Sequence, residues 1–493
     1  MMRPVRGTVC SMLALLALAC GGGSAASSGA ASASAPGDNP DQSWREQRPA
    51  AAAPRSFDYP AAQMAKLPNG VQLWLVPRKS GTVALSINSL AGGAASGRGQ
   101  SGLAALTLRL MTEATQRKAG LALAEAAESL GTSLDFDTGR DGSSLSLEVL
   151  TSDVEAGLAL LAEIVTEPRF SAEDVERIKR QWLDSLLNER QDPNRLAALA
   201  GMRALWGSSV AAPVRGSVPD VQKLTRADLV RFHRDHYVSG NLAVVAVGDL
   251  DLPRLTALAQ AGFGRLPARS APALPAPQPA PSREHTQVWI IDRPGSVQSA
   301  LFVGQPFPER SVPGYEAREV MNNLLGGLFT SRLNLNLREK HAYTYGVRSQ
   351  ALALRRFGAF VSTSSVKTES TADAFEQLHL ELAGLAAGTA PILPDELDRA
   401  KTDLIHQLGG NLEHVRRILG DTAELFVEGL PADYHSGYGA RIREVDQRAA
   451  AAEAARLTPN TLAVVIVGDQ QKIAPLLAAK GITPLPAPPA FSE

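Results

Sequence analysis

Three groupings of side chains have types and spacings that suit chemistry. His233 and His236 lie three positions apart with Asp235 between them, which places two imidazoles near one side of a helix as a weak site for a divalent cation. Zinc takes about three protein ligands, so packing or helix capping is the stronger expectation for this pair. The other histidines, His285, His341, His379, His406, His414 and His435, are scattered without ligand spacing. Arg109 and Glu113 have the i, i+4 spacing of an ion pair along one helix; the competing role for Arg109 is to grip a peptide carboxylate. Arg338 and Tyr345 stand within Leu337-Arg-Glu-Lys-His-Ala-Tyr-Thr-Tyr-Gly346. A guanidinium and a phenol are both strong hydrogen-bonding groups, and the plain role for such a pair is to fasten a helix to a strand. No Ser or Thr is accompanied by a located base, so no catalytic nucleophile is expected.

The elements that must position these groups repeat. Asn241-Leu-Ala-Val-Val-Ala-Val-Gly-Asp249 recurs as Thr461-Leu-Ala-Val-Val-Ile-Val-Gly-Asp469, and Glu173-Asp-Val-Glu-Arg-Ile-Lys179 as Asp395-Glu-Leu-Asp-Arg-Ala-Lys401. Two matches at nearly the same offset point to one domain type present twice. Within the first copy, Asn69-Gly70 is a turn signal ahead of an apolar run to Val76, and Pro77 breaks that run before a second one from Thr82 to Leu90. Ser144 to Leu150 alternates as a half-buried strand should, and a helical stretch follows from Asp153 to Val165. The second copy answers with Val288 to Asp292 and Val297 to Gly304. Strand pairs alternating with helices predict an α+β fold in which helices cover one face of a mostly antiparallel or mixed sheet.

At 493 residues and 44% hydrophobic content, the chain has room for about two to four domains. Its 49 basic and 50 acidic side chains produce no global field toward nucleic acid. Residues 1–20 read as a lipoprotein-type signal peptide: Arg3 and Arg6, an apolar run, then Ala17-Leu-Ala-Cys20, with Cys20 the expected lipidation site. Both cysteines, Cys10 and Cys20, fall in this segment, so no internal disulfide is expected in the mature chain. Residues 21–55, rich in Gly, Ala, Ser and Pro, bury too little surface to offset ordering and read as a stalk. A second Pro and Ala segment, 267–284, separates domains expected at 56–266 and 285–485. The expected location is the bacterial cell envelope, lipid-anchored and facing the periplasm, with the outer membrane favoured weakly.

The segment Gly102-Leu-Ala-Ala-Leu-Thr-Leu-Arg109 resembles the active-site helix of the insulinase/pitrilysin (M16) metallopeptidases. There the pattern is Gly-Leu-Ala-His-Leu-Leu-Glu-His, with two zinc-binding His and a Glu that works on water. Further resemblance runs through Leu67-Pro-Asn-Gly70, Pro168-Arg-Phe170, Gly326-Gly327, Ser331-Arg-Leu333 and Leu337-Arg-Glu339, covering nearly all of the chain after the stalk. The catalytic positions are held here by Ala105, Leu108 and Arg109. Anchoring on Asp192-Pro193, the third ligand position falls at Ser185 or Leu186, with Glu189 nearby. The resemblance therefore implies no catalytic residue, no metal and no cofactor, in a pair of homologous M16-type domains, each a mostly antiparallel sheet covered by helices. It also implies that Arg338 and Tyr345, at the family's Arg and Tyr spacing, reach toward bound peptide, although Ala342 and Tyr343 replace the usual Gly and Leu between them. The expected role is a peptide-binding subunit that pairs with a zinc-bearing M16 peptidase. Its rivals are an envelope scaffold or peptide-binding lipoprotein without a peptidase role, and an active zinc endopeptidase with unusual ligands.

Overall fold

The computed structural model describes residues 57–210, 212–274, 279–488 and 491; the expected signal segment with Cys20 and the stalk lie outside them. The first half contributes strands β1 Gln63–Lys66, β2 Gln72–Pro77, β3 Thr82–Ser89, β4 Asp135–Thr138, β5 Ser143–Leu150 and β6 Leu242–Gly248. Its helices are α1 Leu103–Met111, α2 Gly120–Glu128, α3 Val154–Thr166, α4 Ala172–Glu189, α5 Pro193–Val210, α6 Val218–Lys223, α7 Arg226–His236 and α8 Leu252–Phe263. The second half contributes β7 Gln287–Asp292, β8 Gln298–Phe307, β9 Thr344–Ala353, β10 Gly358–Lys367, β11 Ala463–Gly468 and β12 Leu485–Pro486. Its helices are α9 Tyr315–Asn322, α10 Arg332–Asn334, α11 Thr371–Ala386, α12 Pro394–Asn411, α13 Val415–Glu428, α14 Tyr438–Glu444, α15 Gln447–Ala454 and α16 Gln470–Ala478. No helix among the described residues is long and apolar enough to cross a membrane.

Each half holds a six-stranded sheet, in the orders β1-β2-β6-β3-β5-β4 and β12-β7-β11-β8-β10-β9. The pairs β2 with β6 and β7 with β11 run parallel, the short β12 joins β7 in parallel, and the remaining pairs are antiparallel. The repeated apolar motif forms β6 and β11, which hold the same place in their sheets. The second repeat opens α4 and α12. The architecture is thus two copies of one α+β domain. As expected, β5 alternates buried and half-buried positions.

The sheets depart from expectation on one point, because helices cover both faces rather than one. Every residue of β6 and β11 is buried, and period-two alternation divides their side chains between two cores. Val244 and Ala246 join the first half's own helices, whereas Ala243, Val245 and Val247 pack against Ile418, Leu419, Leu425 and Phe426 of α13. The second half mirrors this: Val464 and Ile466 face its own helices, and Val465 and Val467 face Leu196, Ala200 and Leu205 of α5. Each half therefore supplies a helix to the other's outer sheet face. Burial of a Leu, Ile or Phe side chain is worth about 1.5–3 kcal/mol, so these two exchanged layers join the halves into a single cooperative body.

Candidate functional site

Backbone close to backbone builds the pocket beside α1. Gly102 caps the helix with φ 88°, and a Cβ there would lie 2.6 Å from the Arg215 carbonyl oxygen; Gly216 has φ 93° and the same clearance from the Ser101 carbonyl. Only glycine accommodates both the left-handed backbone and this approach. The hydroxyl of Ser101 donates to Asp220 at 2.5 Å and accepts from the Ser217 amide at 3.0 Å. The Trp182 indole donates to the Arg215 carbonyl at 2.8 Å. The loop before α6 is thus pinned across the start of α1, which carries the Arg215 side chain to the position the sequence comparison assigns to a metal.

A cavity of about 430 Å³ opens there, walled by Ala105, Arg109, Phe136, Trp182, Ser185 and Arg215 among others. All three inferred ligand positions, Ala105, Arg109 and Ser185, meet in it, whereas Leu108, at the position of the Glu that works on water, and Leu186 turn into the core of the first half. Of the two candidates for the third ligand position, Ser185 is the one that faces the cavity. Arg215 donates to the Ser185 hydroxyl at 3.0 Å, pairs with Glu189, and lies 4.6 Å from the centre of the Trp182 ring. Burial lowers the Arg215 pKa from its ordinary value, yet a guanidinium stays protonated under working conditions. Arg109 pairs with Glu113 as its spacing suggested, and Glu113 also receives Arg177 at 2.5 Å. With a guanidinium at the ligand position Arg109, a second from Arg215 beside it, and no ligand side chain at Ala105 or Ser185, the residues present do not fit zinc. Among the described residues, no three His, Cys, Asp or Glu side chains are grouped to hold a metal ion.

His233 and His236 have separate packing roles. The Nε2 of His233 lies 2.8 Å from the Val165 carbonyl oxygen, and its ring stacks on Tyr237 at 5.2 Å. His236 packs on Phe232 at 4.4 Å. Burial lowers the pKa of both imidazoles, and Asp235 is taken by Arg234 at 2.8 Å.

Arg338 lies just before β9 and Tyr345 within it; this is the last strand of the second sheet, and its outward main-chain groups at Val347 and outward carbonyl at Ser349 are taken by the side chains of Asn334 and Asn322. The turn between them contains Ala342, which has φ 53° and is the one non-glycine residue with positive φ among those described. The amides of Ala342 and Tyr343 donate to the carbonyls of Arg338 and Leu337, closing a π-helical segment Leu335–Lys340. Such segments are found often at functional sites. Asn334, which sequence reasoning missed, fastens helix to strand: its amide nitrogen donates to the Val347 carbonyl at 3.0 Å and its oxygen accepts from the Val347 amide at 2.9 Å. Tyr345 is left 91% exposed and makes no hydrogen bond among the described residues. Arg338 stacks 4.0 Å from the centre of the Phe329 ring and pairs with Glu339 at 3.4 Å, while its Nη1 is buried without a hydrogen bond.

A second cavity, about 630 Å³, is lined by Tyr345, Phe329 and Asn334 from the second half and by Asp192, Asn194 and Arg195 from the start of α5. A third, about 400 Å³ and largely apolar, shares Arg195 and Ala198 with it and shares Arg215 with the cavity at the former cradle. The three are neighbours through these shared walls, with Arg109 in one outer cavity and Tyr345 in the other. Arg215 escaped the sequence reading because a loop arginine between two helices carries no periodic signal of its direction.

Comparison with known proteins fits this geometry. Residues 76–207 match the family model described as Insulinase (Peptidase family M16), and residues 223–404 match the Peptidase M16 inactive domain. An uncharacterized zinc protease of Mycobacterium tuberculosis is 28% identical over 266 residues, covering 54% of this chain and 60% of that protein. The chain thus spans about 60% of the length of the first curated relatives it matches. The non-peptidase homolog YmxG of Helicobacter pylori is 25% identical over 348 residues, 70% of this chain and 79% of that protein. Among solved structures, the peptidase M16 inactive domain from Pseudomonas fluorescens has a TM-score of 0.76 and 27% identity, covering 83% of this chain and 98% of that one.

Proposed function

The chain belongs to the insulinase (M16) family of peptidases as a member without its catalytic side chains, and from that premise we propose that it is the peptide-binding subunit of a two-chain peptidase. The zinc-bearing M16 partner supplies the chemistry. One observation carries the proposal: the cradle is walled by the guanidiniums of Arg109 and Arg215, while Tyr345 stands exposed with its fastening role taken by Asn334. An extended peptide adds to an open sheet edge by main-chain hydrogen bonds, and β4, the last strand of the first sheet, walls the cavity at Arg109 with Phe136, Asp137 and Thr138. Tyr345 and Arg338 then lie where a peptide carbonyl would pass. In the cell, Cys20 anchors the chain by lipid at the periplasmic side of the envelope.

The test is reconstitution. The purified chain alone should cleave no peptide, and mixing it with a zinc-bearing M16 partner from the same cell should raise peptide hydrolysis at least tenfold over that partner alone. Arg338→Ala and Tyr345→Phe should each remove most of that gain, an effect of about 1.4 kcal/mol or more on the transition state. Cys20→Ala should release the pair from membranes. Hydrolysis indifferent to Arg338 and Tyr345 would favour a scaffold, and tightly held zinc with unaided cleavage would favour an active peptidase.

A further inference from the structure

We infer that the peptide taken by these cavities is acidic, a conclusion that rests on the peptide-binding reading and adds the charge class of the substrate. The walls of the three adjoining cavities carry seven arginines against three carboxylates, Asp137, Glu189 and Asp192, with no lysine or histidine. This imbalance stands out in a chain whose formal net charge is −1. Part of it is answered locally, since Glu189 pairs with Arg215 and Glu113 with Arg109 and Arg177. Arg195 and Arg348 are not answered. Both are exposed, both line the cavity that holds Tyr345, and neither makes a hydrogen bond or ion pair among the described residues.

They approach that cavity from different halves of the molecule. Arg195 is on the first turn of α5, next to Asn194, whose side-chain oxygen accepts from Ser365 of β10 at 2.8 Å. Arg348 lies on the edge strand β9, with Thr363 of β10 as its cross-strand partner. A peptide extended through the cavity that both line points every second side chain to the same face, so acidic residues at alternate positions would pass these guanidiniums in turn. Charge of one sign inside a walled cleft raises the local concentration of the opposite sign, and guanidinium with carboxylate forms paired hydrogen bonds. The same field disfavours a basic peptide.

Fluorescence anisotropy with the full chain decides the matter. The probes are labelled peptides of about twelve residues, identical except that Glu at alternate positions is replaced by Gln or by Lys. The Glu peptide should bind roughly tenfold tighter than its Gln isostere at low salt and the Lys peptide weakest, with the advantage shrinking as ionic strength rises. An Arg195→Gln, Arg348→Gln variant should lose most of the Glu advantage while holding the Gln peptide as before. If that variant fails to fold, the isostere series on the unaltered chain still decides. Equal binding of Glu and Gln peptides would overturn the acidic class and leave peptide binding standing; absence of binding by every peptide, with or without the partner subunit, would overturn both.

Discussion

Ala342 sits in a conformation that costs an L-residue about 1–2 kcal/mol, in the turn between Arg338 and Tyr345. Glycine removes that strain at some cost in unfolded-state entropy. Ala342→Gly should therefore stabilise the chain by roughly 0.5 kcal/mol and Ala342→Val should destabilise it by at least about 1 kcal/mol, both read from urea unfolding midpoints. At this scale the sequence was informative about what is missing and uninformative about what replaces it. Ala105, Leu108 and Arg109 were legible because a helix motif fixes spacing and direction. Arg215 and Asn334 were not: one reaches the cavity from a loop pinned by Gly102 and Gly216, and the other takes the fastening role that had been weighed for Arg338 and Tyr345.

Among elements, α5 shows how tightly the exchanged layers fit. Gly201 lies directly under the Phe302 ring, and a Cβ there would be 2.1 Å from the ring's Cδ1. Gly201→Val should force Phe302 aside and destabilise the chain by about 1–3 kcal/mol, as overpacking of a core does, with the loss visible in differential scanning calorimetry. The repeated apolar runs of β6 and β11 and the repeated openings of α4 and α12 made the duplication legible, yet each sheet was expected to be covered on one face only. Neither pattern says which sheet a helix will cover. That choice depends on complementarity between residues far apart in sequence, such as Gly201 with Phe302, and short-range periodicity does not contain it.

For the whole molecule, acidic groups near α9 and α13 set a pH dependence. Burial first, then the neighbouring charges of Glu424 and Glu316, pushes the Glu319 carboxyl up to about 7; burial with Asp141 and Glu424 does the same for Glu428. A carboxyl whose pKa is higher in the folded chain than the ordinary 4.5 contributes stability that is complete below 4.5 and is lost as pH rises through 7. The paired carboxylates of Glu316 and Glu396, held below their ordinary value despite burial by Arg441 and Arg332, act in the opposite sense in acid. Stability should peak near pH 5 and decline by on the order of 1–3 kcal/mol toward pH 8. Glu319→Gln with Glu428→Gln should flatten that decline in melting temperatures taken across the range.

The reciprocal placement of α5 and α13 has a bearing on ancestry. A single copy of this domain would have left one broad greasy surface bare, so before the gene doubled the monomer must have found a twin to shield it. Fusion through the proline-rich joint turned a meeting governed by concentration into one guaranteed at synthesis. Once the twins were covalently bound they were free to diverge.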